Sequence, residues 1–321
     1  MRAVVVTRNG GPEVLEVMER EAPTAGPGQV LVDVSVAGVN YRDIYEREGG
    51  YGPEPPLVAG IEGAGTVAAV GDGVSEVSVG DRVAWSSAFG SYAEQAVVDA
   101  AKTVPVPDGI TDEVAAAALL QGMTAHYLCT TTYPVARGDT VVVHAAAGGV
   151  GLLLTQIVKM RGGRVIGTTS TGEKAELARA AGADEVIGYE DFGARVRELT
   201  GGEGASAVYD GIGKDTFDAS LECLRWRGTL AIYGAASGHP PPFELGRLFA
   251  GGSLFVTRPS LAHHTATREE LLARASDVFG WIADGSLEVR IGGRYPLVRA
   301  ADAQQDLQSR RTTGKLILLV R

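Results

Sequence analysis

Apolar positions in the first third of the chain come in short runs, each closed by residues that favour turns. Arg2 to Thr7, Gln29 to Val39, Gly65 to Val70, Arg82 to Trp85 and Ser91 to Val98 read as strands, separated by clusters such as Ala22 to Gly28 and Gly71 to Gly73. Many short strands with frequent turns predict a mostly antiparallel, barrel-like domain. The rhythm changes at Thr111, where Asp112 and Glu113 open an Ala/Leu-rich stretch that predicts a helix to about Leu128.

From Asp139 onward, β-branched runs marked by Val141, Val165, Val186, Val208, Leu230 and Leu254 recur every 21 to 24 residues. That is the period of a βα unit, and helix-type residues fill the gaps at Gly149 to Lys159, Gly172 to Ala181, Asp191 to Leu199 and Thr216 to Leu224. The expected fold class is therefore α/β, with a doubly wound, parallel six-stranded sheet. After Pro259 the pattern predicts helices at Arg268 to Ala283 and Arg299 to Gln308, then a last strand, Lys315 to Val320. The parallel domain is thus expected over residues 125–259, inserted into a first domain made of 1–124 and 260–321.

At 321 residues, with 45% hydrophobic and 21% charged positions, the chain can bury two cores and is neither disordered nor membrane-like in composition. Its formal charge of −10 repels phosphate backbones and anionic membranes, which argues against nucleic acid as a partner. Cys129 and Cys223 have no CxxC spacing, so neither a disulfide framework nor a structural zinc is expected, and a reducing cytoplasm suits the chain. The apolar run Ala3 to Val6 is too short for a signal-peptide core, and the uncharged stretches Val114 to Ala136 and Thr140 to Val158 are broken by polar residues or glycines.

The segment from Thr140 to Leu154 joins a buried strand to a helix through Ala145, Ala146, Ala147, Gly148, Gly149, Val150 and Gly151. Small residues there let a pyrophosphate approach the backbone, with free amides at the helix start facing it; a merely tight packing turn is the alternative. A site for NAD would place a carboxylate about 20 residues on, to bind the ribose 2′-hydroxyl. Instead the second strand runs into Thr168, Thr169, Ser170, Thr171 and, after Glu173, Lys174. Hydroxyls and a lysine suit a 2′-phosphate, so NADPH is expected. In the bland alternative Ser170 caps the next helix and Lys174 is a solvated helix residue.

Six segments together make the chain resemble the zinc-independent quinone oxidoreductase (zeta-crystallin-like) branch of the medium-chain dehydrogenase/reductase superfamily. They are Gly38 to Tyr45, Gly60 to Gly65, Gly122 to Ala125, His144 to Gly151, Val256 to Leu261 and Ser309 to Lys315. The resemblance spans essentially the whole chain and implies a GroES-like, barrel-like catalytic domain beside a Rossmann domain. Zinc-dependent members place ligands near Asn40 and Ile61, which cannot serve here; no metal is expected, and His263 with His264 reads as a polar loop.

The resemblance also implies roles. Asn40, Tyr45 and Tyr51 are candidate donors to the substrate carbonyl, Arg258 sits at the domain boundary, and Thr124 meets the nicotinamide end of the cofactor. Ala147 to Gly151 hold the phosphates, while Thr169, Ser170, Lys174, Tyr189 and Arg310 surround the adenosine 2′-phosphate. Packing is the alternative for each tyrosine, and an ion pair for Arg258. Chemistry is expected in a cleft built from both domains.

A quinone gains aromatic resonance on reduction, so it accepts hydride with hydrogen-bond donors alone, whereas an alkoxide needs a Lewis acid. NADPH-dependent quinone reduction is the leading expectation. Reduction of an enone or enoyl double bond is the second, and a structural or RNA-binding protein without turnover is the third. The apolar strand Gly252 to Val256 is expected at the sheet edge, where another chain would cover it, and the resemblance implies that this partner is a second copy, making a homodimer.

Overall fold

A computed structural model describes all 321 residues. The chain runs through β1 (Arg2–Val6), β2 (Leu15–Glu19), β3 (Gln29–Val39), α1 (Tyr41–Arg47), β4 (Leu57–Val58), β5 (Glu62–Val70), β6 (Arg82–Trp85), β7 (Gln95–Asp99), β8 (Val104–Pro105) and α2 (Asp112–Tyr127). Next come β9 (Thr140–Val143), α3 (Gly149–Met160), β10 (Arg164–Thr168), α4 (Gly172–Ala180), β11 (Glu185–Ile187), α5 (Phe192–Leu199), β12 (Ala205–Asp210), α6 (Phe217–Glu222), β13 (Leu224–Ile232), α7 (Gly246–Ala250) and β14 (Phe255–Thr257). The last elements are α8 (Leu261–His264), α9 (Arg268–Ala283), β15 (Ile291–Pro296), α10 (Ala300–Gln308) and β16 (Lys315–Leu319). No helix is long and apolar enough to cross a membrane.

Two compact units result, one from residues 1–123 with 265–321 and the other from 124–264. In the first, a seven-stranded sheet runs β15-β16-β3-β5-β6-β8 with β7 also paired to β3, and a small sheet runs β2-β1-β4. Every pairing is antiparallel except β15 with β16. Along the first part of β3 the side chains of Val30, Val32 and Val34 are buried while their neighbours are half-buried, which is the period of two that a strand with one core face requires. They pack with Trp85, Tyr92 and Leu318 in one apolar core.

The second unit is a six-stranded parallel sheet in the order β11-β10-β9-β12-β13-β14. The order turns back at β9, so the crevice of a doubly wound sheet opens at the carboxyl ends of β9 and its neighbours. Val142, Ile166, Val208 and Leu230 have no exposed surface, as strands covered on both faces require.

Among the elements that differ from the sequence pattern, three have a clear physical reason. The strand expected from Ser91 starts only at Gln95, because Tyr92 donates to Ala59 and accepts from Val4 while Ala93 bridges Ala3, committing that stretch to β1. The helix expected to end near Leu128 passes at Tyr127 into a wider π-turn, Leu128–Thr132, where Cys129 and Thr130 bond back to the carbonyls of Ala125 and His126. The sequence pattern gives no strand at β15, where Gly292, Gly293 and Pro296 are residues that strands disfavour. A side chain at 292 would run into the Thr313 carbonyl, so glycine permits the close approach of this strand to the chain leading into β16.

Candidate functional site

The segment Asn40 to Arg47 begins where β3 ends. Asp43 accepts the backbone N–H of Asn40 at 2.8 Å and the Tyr92 hydroxyl at 2.7 Å, satisfying one donor at the start of α1. Full burial pushes Asp43 up to about 7, opposed by the Tyr92 hydrogen bond. At the other end of the helix, Arg47 donates to Gln304 at 2.9 Å and to Gln308 at 3.0 Å on α10. Both ends of α1 are therefore tied to the core, and the helix is a rigid carrier for the side chains between them.

Two expected donors meet on this helix and the loop after it. Tyr45 and Tyr51 stand with ring centroids 5.9 Å apart, and the Tyr41 ring also lies 5.9 Å from that of Tyr45. Tyr51 is 41% exposed. Asn40 is placed differently. Its carboxamide accepts from the Lys315 ammonium at 2.7 Å and donates to Glu62 at 2.9 Å, so its polar atoms face the interior of the first unit.

That contact belongs to a buried cluster to which the sequence reading gave no role. Lys315 and Glu62 are 1% and 0% exposed and 2.5 Å apart, and the other oxygen of Glu62 accepts the Leu120 amide within α2 at 2.7 Å. A signal was present: a lone lysine opens the apolar strand Lys315 to Leu319, and a lone glutamate stands in the small-residue strand Glu62 to Val70. Charged side chains in buried strands are rare unless paired.

In the second unit the turn from β9 to α3 has the shape that a pyrophosphate needs. The amides of Gly149, Val150 and Gly151 open α3 and have no acceptor within the helix. A Cβ built at Gly148 meets only Ala145, pressing on its carbonyl at 3.1 Å, and the residue has an ordinary extended backbone with φ −77°. The rest of the chain leaves that face open, which is where a phosphate would lie. Gly151 is the opposite case: a side chain there would strike the Ala145 carbonyl and the Ala146 backbone, so this glycine brings helix and strand together. Ala147 is buried beside them. The turn is braced from outside by Tyr189, whose hydroxyl accepts the Ala145 N–H at 3.1 Å where that residue adopts φ +49°.

Strand β10 ends at Thr168, and no carboxylate follows until Glu173. Thr169 is buried and Ser170 exposed. The cap of α4 is Thr171, whose hydroxyl accepts the Lys174 amide at 3.3 Å, so the alternative role for Ser170 as the cap does not apply. Burial lowers the Lys174 ammonium from its ordinary range, with Glu173 opposing. Next to the glycine turn, His144 bonds Thr168 and Ser220, both at 2.9 Å, which makes it a satisfied core histidine.

Three candidates remain. Thr124 is buried on α2. Arg258 follows β14 and lines a cavity of about 530 Å³ with Phe217, Ile232 and Phe243. Arg310 follows α10 in the first unit, adopts φ +58°, and holds its guanidinium beside the Tyr41 hydroxyl.

Comparison with known proteins accords with this arrangement. The alcohol dehydrogenase GroES-like domain family matches residues 26–108, and the zinc-binding dehydrogenase family matches residues 149–276. A quinone oxidoreductase of Pseudomonas aeruginosa is 46% identical over 315 residues, covering 97% of each chain. A 2-haloacrylate reductase of a Burkholderia species is 42% identical over 327 residues, 99% of this chain and 98% of that one. Among solved structures, a mycobacterial protein in complex with NADPH superposes with a TM-score of 0.97 at 52% identity, covering 100% of both chains.

Proposed function

Since the chain belongs to the zinc-independent quinone oxidoreductase branch of the medium-chain dehydrogenase/reductase superfamily, we propose that it is an NADPH-dependent reductase of a small-molecule quinone. The observation that carries this reading is the open face at Gly148 beside the unpaired amides of α3, together with a second strand that leads to hydroxyls and Lys174. When bound, NADPH supplies the hydride. The amides of Gly149, Val150 and Gly151 hold its pyrophosphate, and Thr169, Ser170, Lys174 and Tyr189 hold the adenosine end with its 2′-phosphate. Thr124 and Arg258 are assigned to the nicotinamide and substrate end. NADPH is expected to bind about 10- to 100-fold more tightly than NADH, the worth of one or two charge-assisted contacts. Lys174→Ala should erase most of that preference in a fluorescence titration; a preference that survives would remove Lys174 from the phosphate site.

Tyr45 and Tyr51 serve as the donors to the substrate carbonyl oxygen as negative charge grows on it. The inward-facing Asn40 fixes the start of α1 and leaves the donor role to the tyrosines. Tyr45→Phe keeps the ring and removes the hydroxyl, so turnover should fall by at most about 10²- to 10³-fold with NADPH affinity nearly unchanged. The fall should be modest for quinones, whose aromatic products need little help, and larger for enones. A second reading, reduction of an activated carbon–carbon double bond, is favoured by the likeness to the 2-haloacrylate reductase. Stopped-flow oxidation of NADPH against a panel of quinones, enones and haloacrylates tests both; no turnover of any quinone would sink the first.

The working form is a homodimer in this reading. Strand β14 lies at the edge of its sheet, and Trp226, Phe249 and Phe255 are 78%, 84% and 59% exposed around it, more apolar surface in one place than a stable monomer usually leaves to water. Light scattering should report two chains at micromolar concentration, and Phe249→Asp should shift the mass toward one. A wild-type monomer would refute this. A reducing cytoplasm suits the two unpaired cysteines, whose thiols burial pushes up to about 12.

A further inference from the structure

Arg42, Tyr45 and Glu46 stand at i, i+3 and i+4 on α1 and so share one face of the helix. The loop after the helix lies on that face. Gly49 and Gly50 donate to the carbonyls of Glu46 and Tyr45 at 3.0 and 2.8 Å, turning the chain back over the helix. Tyr51 then meets the Tyr45 ring, and the Arg42 guanidinium sits 5.7 Å from the centre of the Tyr51 ring, within cation–π range. At the next residue, a Cβ built at Gly52 comes 3.5 Å from the Glu46 side chain and 3.2 Å from the Phe89 ring, so the loop covers Glu46.

Glu46 is a carboxylate with only 4% of its side chain exposed, and Arg42 donates to it at 2.8 Å. Burial raises Glu46 above the usual carboxylate range, and Arg42 opposes that rise. The same guanidinium therefore touches both the acid beneath the loop and the aromatic ring that the loop carries. Without Arg42, the loop would cover an unpaired carboxylate, which is a reason for it to lift. Neither residue is needed to hold α1 itself, whose ends are fixed by Asp43 and Arg47.

We propose that Arg42 and Glu46 form a positioning pair that holds Tyr51 against Tyr45, and so set how tightly the substrate is received without taking part in the chemistry. The inference rests on the reading that Tyr51 faces the substrate, but the loop's placement can be tested without substrate. Chymotrypsin cleavage after Tyr51, followed by mass spectrometry on the full-length protein, reports how often the loop leaves the helix. Arg42→Ala is expected to raise that cleavage rate about 2- to 10-fold, the scale of one partly exposed cation–π and ion-pair contact. Arg42→Lys should restore part of the protection, and Glu46→Gln added to Arg42→Ala should restore part as well, since it removes the buried charge. With a quinone that the wild type turns over, Arg42→Ala should raise KM by a similar factor, with a smaller change in kcat and none in NADPH affinity. Cleavage at the wild-type rate in Arg42→Ala, or failure of both restoring variants, overturns the pair. Faster cleavage with an unchanged KM would leave the loop anchored as described but overturn its role in substrate binding. Tyr51→Ala separates this from the broader reading, because a wild-type KM there means that Tyr51 does not face the substrate at all.

Discussion

Lys315→Met should cost about 3–5 kcal/mol of stability in urea denaturation, among the largest effects of any single substitution in the first unit. The lysine is 1% exposed and its ammonium bonds Glu62 and Asn40, so methionine fills much of the same volume but leaves the Glu62 carboxylate, which has no exposed surface, without its cation. Coulomb attraction is not the whole of the effect. Taking both charges out of water is itself costly, and a buried ion pair can do little better than an apolar pair of the same shape. For that reason Lys315→Met combined with Glu62→Gln should regain a large part of the loss: the amide keeps an oxygen for the Leu120 N–H and carries no charge. If Lys315→Met alone cost less than about 1 kcal/mol, the cluster would be poorly desolvated and the argument for its role in setting Asn40 would fall.

The second large effect separates binding from folding within one turn. Gly148→Val should lower the thermal midpoint only slightly and weaken NADPH binding by about 100-fold or more, because its side chain would occupy the space where two or more charge-assisted contacts to the pyrophosphate form. The protein makes a smaller claim on that position than on Gly151: a built Cβ lies 3.1 Å from one backbone carbonyl, which would have to give slightly, and φ is ordinary. Gly151→Val should do the reverse in part. A Cβ at 151 lies 2.8 Å from the Ala146 Cα and 2.9 Å from its carbonyl carbon, both backbone atoms that cannot rotate away, so α3 must shift from β9 and stability falls by roughly 1–3 kcal/mol or more. Thermal melts run beside fluorescence titrations of NADPH distinguish the two. Equal loss of stability in both variants would mean that Gly148, too, is a packing glycine, and the phosphate cradle would have to be sought elsewhere.

The contrast between the two glycines marks where sequence stops. That a glycine turn joins a strand to a helix was legible, because Thr140 to Val143 are apolar and β-branched and α3 begins with small residues and then leucines. Which glycine serves the fold and which leaves room for a ligand depended on the position of the Ala145 carbonyl, and Ala145 itself adopts φ +49°, a conformation an alanine does not announce. The absence of a carboxylate at the end of β10 was equally plain, but the choice of Thr171 over Ser170 as the helix cap was not, since both residue types suit the position.

By itself the sequence determined the parallel sheet, its period and the return of the chain to the first unit, and the membership of the family that those segments carry. These are local properties: the alternation and spacing of apolar side chains settle which stretch is strand or helix before any distant residue is consulted. What only the tertiary structure decided are the polar pairings between distant segments. Lys315 reaches Glu62 and Asn40 across more than 250 positions, Tyr92 bonds Asp43, and Arg42 reaches Tyr51 only because Gly49 and Gly50 turn the chain back over α1. Such contacts depend on strand register and on the path of a turn. A shift of one residue in β16 would turn Lys315 to the other face of its sheet, while the apolar pattern that predicts the strand would read almost the same.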